Sequence, residues 1–171
     1  VTDPPADPAA LRDAQLIAER VAADEAGADA ARRLYQNGPL PALDADTEFA
    51  PLALPGEVLH AIRLNVVIDQ TVAGGIETLR PAAPLYVTSG RLVHGGPQKL
   101  VVPLDQIDEM AVALERLLLV RLRDGADLAI ETDHPRLLRV EVAAAIAAYR
   151  TAQPAPLGPH VIAEPASQPT G

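Results

Sequence analysis

Four histidines, His60, His94, His134 and His160, are the side chains best suited to move protons or bind metal near neutral pH. None stands beside another histidine or a carboxylate in a metal spacing such as His-Glu-x-x-His. His60 falls on an apolar strand face and reads as a satisfied core or edge histidine. Asp133-His134 precedes Pro135 and reads as a helix start. Cysteine is absent, which removes disulfides and thiol nucleophiles. Ser89 and Ser167 are among the few serines, and Ser89 lies in no Gly-x-Ser-x-Gly elbow. The carboxylate pairs Asp44/Asp46, Asp105/Asp108 and Asp124/Asp127 sit in expected loops, where exposed acids are the default. No EF-hand run and no phosphate-cradling glycine motif occurs, and Gly74-Gly75 alone is too little to make one. The expectation is therefore no metal, no cofactor and no enzyme. A small-molecule enzyme would need a polar cleft holding strongly shifted titrating groups.

The elements that must carry these residues follow from composition and period. A chain of 171 residues suits one domain with appendages. It is 49% hydrophobic but only 2% aromatic, so Leu, Val, Ile and Ala must fill the core. A net charge of -9 disfavours nucleic acid, whose binders present a basic face, and weakens docking on anionic lipid. No apolar run approaches the ~20 residues of a membrane span, so the chain is not expected to be an integral membrane protein. The first residues show no basic n-region or apolar h-region, so no secretory signal is expected in them and a cytoplasmic location is. Abundant Ala, with Arg as nearly the only base, reads as the coding bias of a GC-rich bacterial genome.

Residues 1–7 are expected to be disordered. Asp7-Pro8 opens and Asn37-Gly38-Pro39 closes a helix over 8–37. Its stripe is Ala14, Ile17, Val21, Ala28, Ala31 and Tyr35, weakened in the middle by Asp24 and Gly27. It packs on its own domain or lies solvated; the alternative is a helix that meets a partner. Residues 38–56 read as a Pro-rich linker, part of it lying on the domain with Phe49 as anchor. From Gly56 the period becomes two. Val58, Ile62, Leu64, Val66 and Ile68 are expected on the inward face of a long strand. Asp69–Pro84 reads as a loop holding a short strand fragment, Gly75–Leu79. Then come strand 85–88, the turn Ser89-Gly90, strand 91–94 and strand 99–104. A corner at Asp105–Asp108 leads to a strand through Met110, Val112 and Leu114. The last two strands are 117–122 and 127–132, joined at Asp124-Gly125. A helix follows to about Arg150, with Leu138, Val142, Ala145, Ile146 and Tyr149 buried and Arg136, Arg139 and Glu141 outside. Residues 151–171 form a Pro-rich tail expected to be disordered.

Leu85-Tyr86-Val87-Thr88-Ser89 with Arg91-Leu92-Val93, then Pro103-Leu104-Asp105-Gln106-Ile107, resembles the central hairpin and strand exit of bacterial PH-like domains of the GRAM type. The resemblance covers residues 57–150. It implies an α+β fold: an antiparallel β-barrel or sandwich of about seven strands capped by a C-terminal α-helix. A separate N-terminal α-helix precedes it. The expected role is non-catalytic: an adaptor that uses the PH-like domain and the flanking helix or tail to bind a protein partner, or a module for anionic lipid at the inner membrane surface. The expected site is the open end near the excursion of the first strand. Arg63, Arg80, Arg91 and Lys99 are the bases expected to gather there, with His94 beside them. Thr88 and Arg91 also have a structural reading. The hydroxyl satisfies turn backbone, and the guanidinium pairs across the sheet.

Overall fold

Side-chain alternation after Gly56 lays down the sheet. In this computed structural model, which describes residues 7–153, helix α1 (Pro8–Asn37) comes first. The strands are β1 (Leu59–Val72), β2 (Gly75–Thr88), β3 (Arg91–His94), β4 (Leu100–Pro103), β5 (Ile107–Ala113), β6 (Leu117–Leu122) and β7 (Asp127–Glu131). Helix α2 (Pro135–Ala152) closes the set. The seven strands form one antiparallel sheet in the order β4-β3-β2-β1-β7-β6-β5. Strand β1 is the pivot, pairing with β2 along its length and with β7 over residues 67–70. The sheet covers one main core, into which α2 lays Leu138, Val142, Ala145 and Ile146. This is the PH-like α+β architecture: antiparallel strands capped by a C-terminal helix, with another helix in front.

Two expectations for the first hairpin are corrected. Residues 69–84 are no loop: a turn at Ala73-Gly74 leads straight into β2, with Val72 paired to Gly75. Gly75 sits at φ 129, a conformation open to glycine. Prolines inside the strand concealed it, because proline cannot donate to a ladder. Pro81 falls where the register shifts between the Val66–Ala83 and Ile68–Leu79 pairs, a bulge that needs no donor there. The second correction concerns faces. Leu59 and Ala61 are buried, whereas Val58 is 37% and Leu64 67% exposed. Asn65 adopts φ 56, and the register slips between Arg63 and Val66. One extra residue flips the alternation, so only Val66 and Ile68 keep the expected inward side.

The stretch before β1 is tied down at several points. Leu43 pairs with Leu59, and Phe49 is buried against Tyr86 with ring centroids 4.8 Å apart. With Leu59 and Val93 these two rings make a second, smaller core on the other face of the sheet. Asp46 Oδ1 accepts from the Phe49 amide at 2.7 Å and holds the turn that inserts the ring. At the far end of the sheet, Leu114 (φ 48) and Glu115 (φ 58) form the β5–β6 turn. Leu114 is therefore 83% exposed and does not continue the strand face expected for it.

Asp24 and Gly27, which break the apolar stripe of α1, are where that helix docks. Asp24 is 1% exposed, and its carboxylate accepts from the Arg136 and Leu137 amides, each at 2.9 Å. It thereby caps the first turn of α2, whose own preceding residue, His134, supplies no side-chain cap. Gly27 faces Leu137 of α2, whose Cδ2 lies at ordinary contact distance, 3.4 Å, from where a Cβ would stand. Ala28 and Ala31 are buried in the same contact, while Ala14 and Ile17 of the expected stripe are exposed. On α2, Glu141 is buried and Arg136 half-buried, not outside as expected, because each finds a partner on a distant element. Of the stretches expected to be disordered, residues 1–7 and 151–171, Asp7 is ordered as the cap of α1, and Thr151 and Ala152 complete α2, because each caps or continues a helix. Residues 1–6 and 154–171 lie outside the described residues.

Candidate functional site

The candidate bases are built into the fold in different ways. Arg63 of β1 donates through Nε to Glu141 at 2.8 Å, and its Nη2 reaches the other carboxylate oxygen. Burial pushes the Glu141 carboxyl up, and the Arg63 guanidinium offsets that only in part. Arg91 of β3 donates to Glu57 through Nε (2.7 Å) and Nη2 (2.9 Å), and to the Leu52 carbonyl (2.6 Å). Glu57 also accepts from the Leu54 amide at 2.8 Å. The Thr88 hydroxyl has one proton and two acceptors in reach, Glu57 at 2.7 Å and the Arg91 carbonyl at 2.9 Å. The same oxygen receives the Arg91 amide at 3.0 Å. Burial would raise the Glu57 carboxyl, but Arg91, the Leu54 amide and Thr88 together outweigh it and hold it below the ordinary range. The Thr-Ser-x-Arg pattern of the hairpin thus works as a lock between β2–β3 and the segment before β1.

His94 is 1% exposed and shares its Nε2 with the Val66 carbonyl at 2.9 Å. It lies on one inward cross-strand row with Leu85 and Arg63. Lys99 is exposed just before β4. Arg80 stands in β2 opposite the β1 bulge region, and its side chain lies outside the described residues. Arg63 and His94 therefore share an inward row, whereas Arg91 sits at the opposite end of β3 and Lys99 faces solvent. His60 behaves as its position suggests, half-buried with Nδ1 2.6 Å from the Pro41 carbonyl. Among the described residues, no group of three or more His, Asp or Glu could hold a metal ion.

A different surface has the shape of a binding site. Leu118, Val120, Leu128 and Ile130 point into the core, so their neighbours in β6 and β7 must face outward. Ala111 pairs with Leu119, Leu119 with Ala129 and Ala129 with Asp69, a row across four strands. The next row is Glu109–Arg121–Asp127, and Thr71–Ile76 extends the same face across the β1–β2 hairpin. Together they line a groove of about 530 Å³. Its floor is apolar, with Leu119 40% and Ile76 77% exposed. Its rim is acidic. Arg121 lies 3.5 Å from Glu109 and 3.4 Å from Asp127, and Asp69 accepts the Thr78 hydroxyl at 2.5 Å. One guanidinium among three carboxylates leaves the rim net negative. The sequence carried a signal for this face: if Leu118 and Val120 are inward, Leu119 is outward. Its meaning depended on β2, which the prolines hid.

Among the described residues, no helix is long and apolar enough to cross a membrane. No family model and no curated protein matches the chain. Solved structures are similar to it at low identity, among them the following three. The Vps36 N-terminal PH domain is 14% identical over 65% of this chain and 92% of that one, with a TM-score of 0.47. The C-terminal domain of an unknown protein from Leishmania infantum is 11% identical over 58% and 92%, with a TM-score of 0.40. The N-terminal PH domain of the human ARAP2 protein is 13% identical over 56% and 91%, with a TM-score of 0.32. At such values these are likenesses of architecture only.

Proposed function

We propose that this chain is a non-catalytic adaptor whose PH-like domain binds another protein. The observation that carries this reading is the outward groove, an apolar floor on a sheet face that no other described element covers. The arrangement of charge supports a protein over a lipid headgroup. Arg63 and Arg91 are committed to Glu141 and Glu57, and the net charge is -9. Two of the four bases expected to gather are thus held by internal carboxylates, which weakens docking on an anionic bilayer, where each free base contributes about 1 kcal/mol. The hairpin pattern at Leu85–Val93 supports a GRAM-like placement, the Ala- and Arg-rich composition supports a bacterial source, and the cysteine-free sequence fits a reducing, cytoplasmic setting.

The test places a photo-cross-linking residue at Leu119 in the full chain inside the native cell, with Asp105 as control position. A discrete light-dependent protein adduct from position 119, absent from 105, is expected. Absence of any adduct, together with sedimentation of the protein on anionic vesicles at low salt, would overturn the reading in favour of lipid.

A further inference from the structure

Resting on that reading of the groove, we infer that its occupant is a basic, apolar segment of another protein: about four residues with aliphatic side chains, flanked by Arg or Lys. The floor sets the first requirement. Ile76, Ala111, Leu119 and Ala129 offer aliphatic surface, with Gln70 and Thr71 as the uncharged polar side chains beside it. From β5 to β1 is three strand spacings, or about 14 Å, the length of about four extended residues. The rim sets the second. Glu109 and Asp127 flank a single Arg121 at long, solvent-exposed distances, contacts that bind the pair weakly. Asp69 adds a third carboxylate at the opposite side, with one oxygen engaged by Thr78. An incoming cation therefore meets carboxylates at both ends of an apolar trough, and charge complementarity steers it there.

Other occupants fit less well on the same grounds. Residues 1–6 and 154–171 contain no Lys or Arg, and they carry Asp3 and Glu164 instead. Either terminus would bring negative charge to a negative rim. A second copy would bring a rim of the same net negative sign, one Arg121 against three carboxylates on each side, so the two faces lack charge complementarity.

The test uses the full isotopically labelled chain and two capped peptides. One has a Leu-Val-Leu-Val centre with two Arg on each side; the other has Glu in place of every Arg. The Arg peptide should shift the amide signals of Ile76, Ala111, Leu119 and Ala129 and bind at least about tenfold tighter than its Glu twin, a difference worth ~1.4 kcal/mol. Its affinity should fall as salt rises. Glu109→Gln with Asp127→Asn should remove most of the difference between the peptides, and Leu119→Ser should weaken both. Circular dichroism of each variant confirms that the sheet persists. Equal binding of both peptides, no shifts at those four residues, or a concentration-dependent dimer mapping to them would overturn the inference. If cross-linking at Leu119 instead traps a protein through an acidic or neutral segment, the adaptor reading stands and only the charge assignment falls.

Discussion

The lock at Glu57–Arg91 and the groove at Leu119 lie on the same sheet and use opposite chemistry. The lock is rich in the residue types that suggest a site: a guanidinium, a carboxylate, a hydroxyl and adjacent glycine. Yet each partner is internal. Glu57 receives Arg91 twice, the Thr88 hydroxyl and the Leu54 amide. The groove is poor in such residues, but its apolar surface faces solvent. Polar groups whose bonds are all made within the chain hold the fold, whereas apolar surface left open is the part a partner can still bury.

That contrast can be broken from either side. The largest effect is expected from Glu57→Ala, which strands Arg91 in a half-buried position and should cost about 3 kcal/mol in a urea titration. It should leave occupancy of the groove unchanged in the folded fraction. The sign with pH follows from the depressed Glu57 carboxyl. Its stabilisation is full above the ordinary carboxylate value and lost as pH falls through the lower folded value. Glu141 runs the other way: its raised carboxyl favours the folded chain most at low pH, and that contribution is lost as pH rises through the folded value.

Next is Asp24→Ala, which removes the cap of α2 and should cost about 2 kcal/mol. Hydrogen exchange at the Arg136 and Leu137 amides should speed up more than at the middle of α2. Tyr86→Phe should cost about 1 kcal/mol and also change the alkaline limit. Burial and then Asp46 push the Tyr86 hydroxyl from 10.0 up to about 12. Its stabilisation is full below pH 10 and lost as pH rises toward 12, so the variant should lack that decline in alkaline melts. The smallest effect on stability belongs to Leu119→Ser, within about 0.5 kcal/mol for so exposed a position. A large loss of stability there would show that the groove floor serves the fold.

The order of elements was legible from the period of two, the Asp124-Gly125 hairpin and the stripe of α2, because these signals are local. What escaped was set by distant partners. Asp24 looked like a flaw in α1 until the amides of α2 were placed over it. Glu141 looked solvated until Arg63 arrived from β1. Asn65 reversed the faces of β1 through one backbone angle that alternation alone cannot announce. The lock residues were visible in the motif: Thr88 satisfies the turn backbone as read, whereas Arg91 pairs not across the sheet but with Glu57 and Leu52 in the segment before β1. The groove was half visible, since the parity of β6 was readable but the strand beside it was hidden by Pro81 and Pro84.

The capping of α2 by Asp24 also bears on the order in which the chain can assemble. Asp24 and the Arg136 amide are separated by 112 residues. During synthesis α1 leaves the ribosome first and waits while the whole sheet is made. Its only buried carboxylate among the described residues must stay in water until the last helix emerges. Closing that contact then fixes α1 against α2 in one step, late and at high contact order.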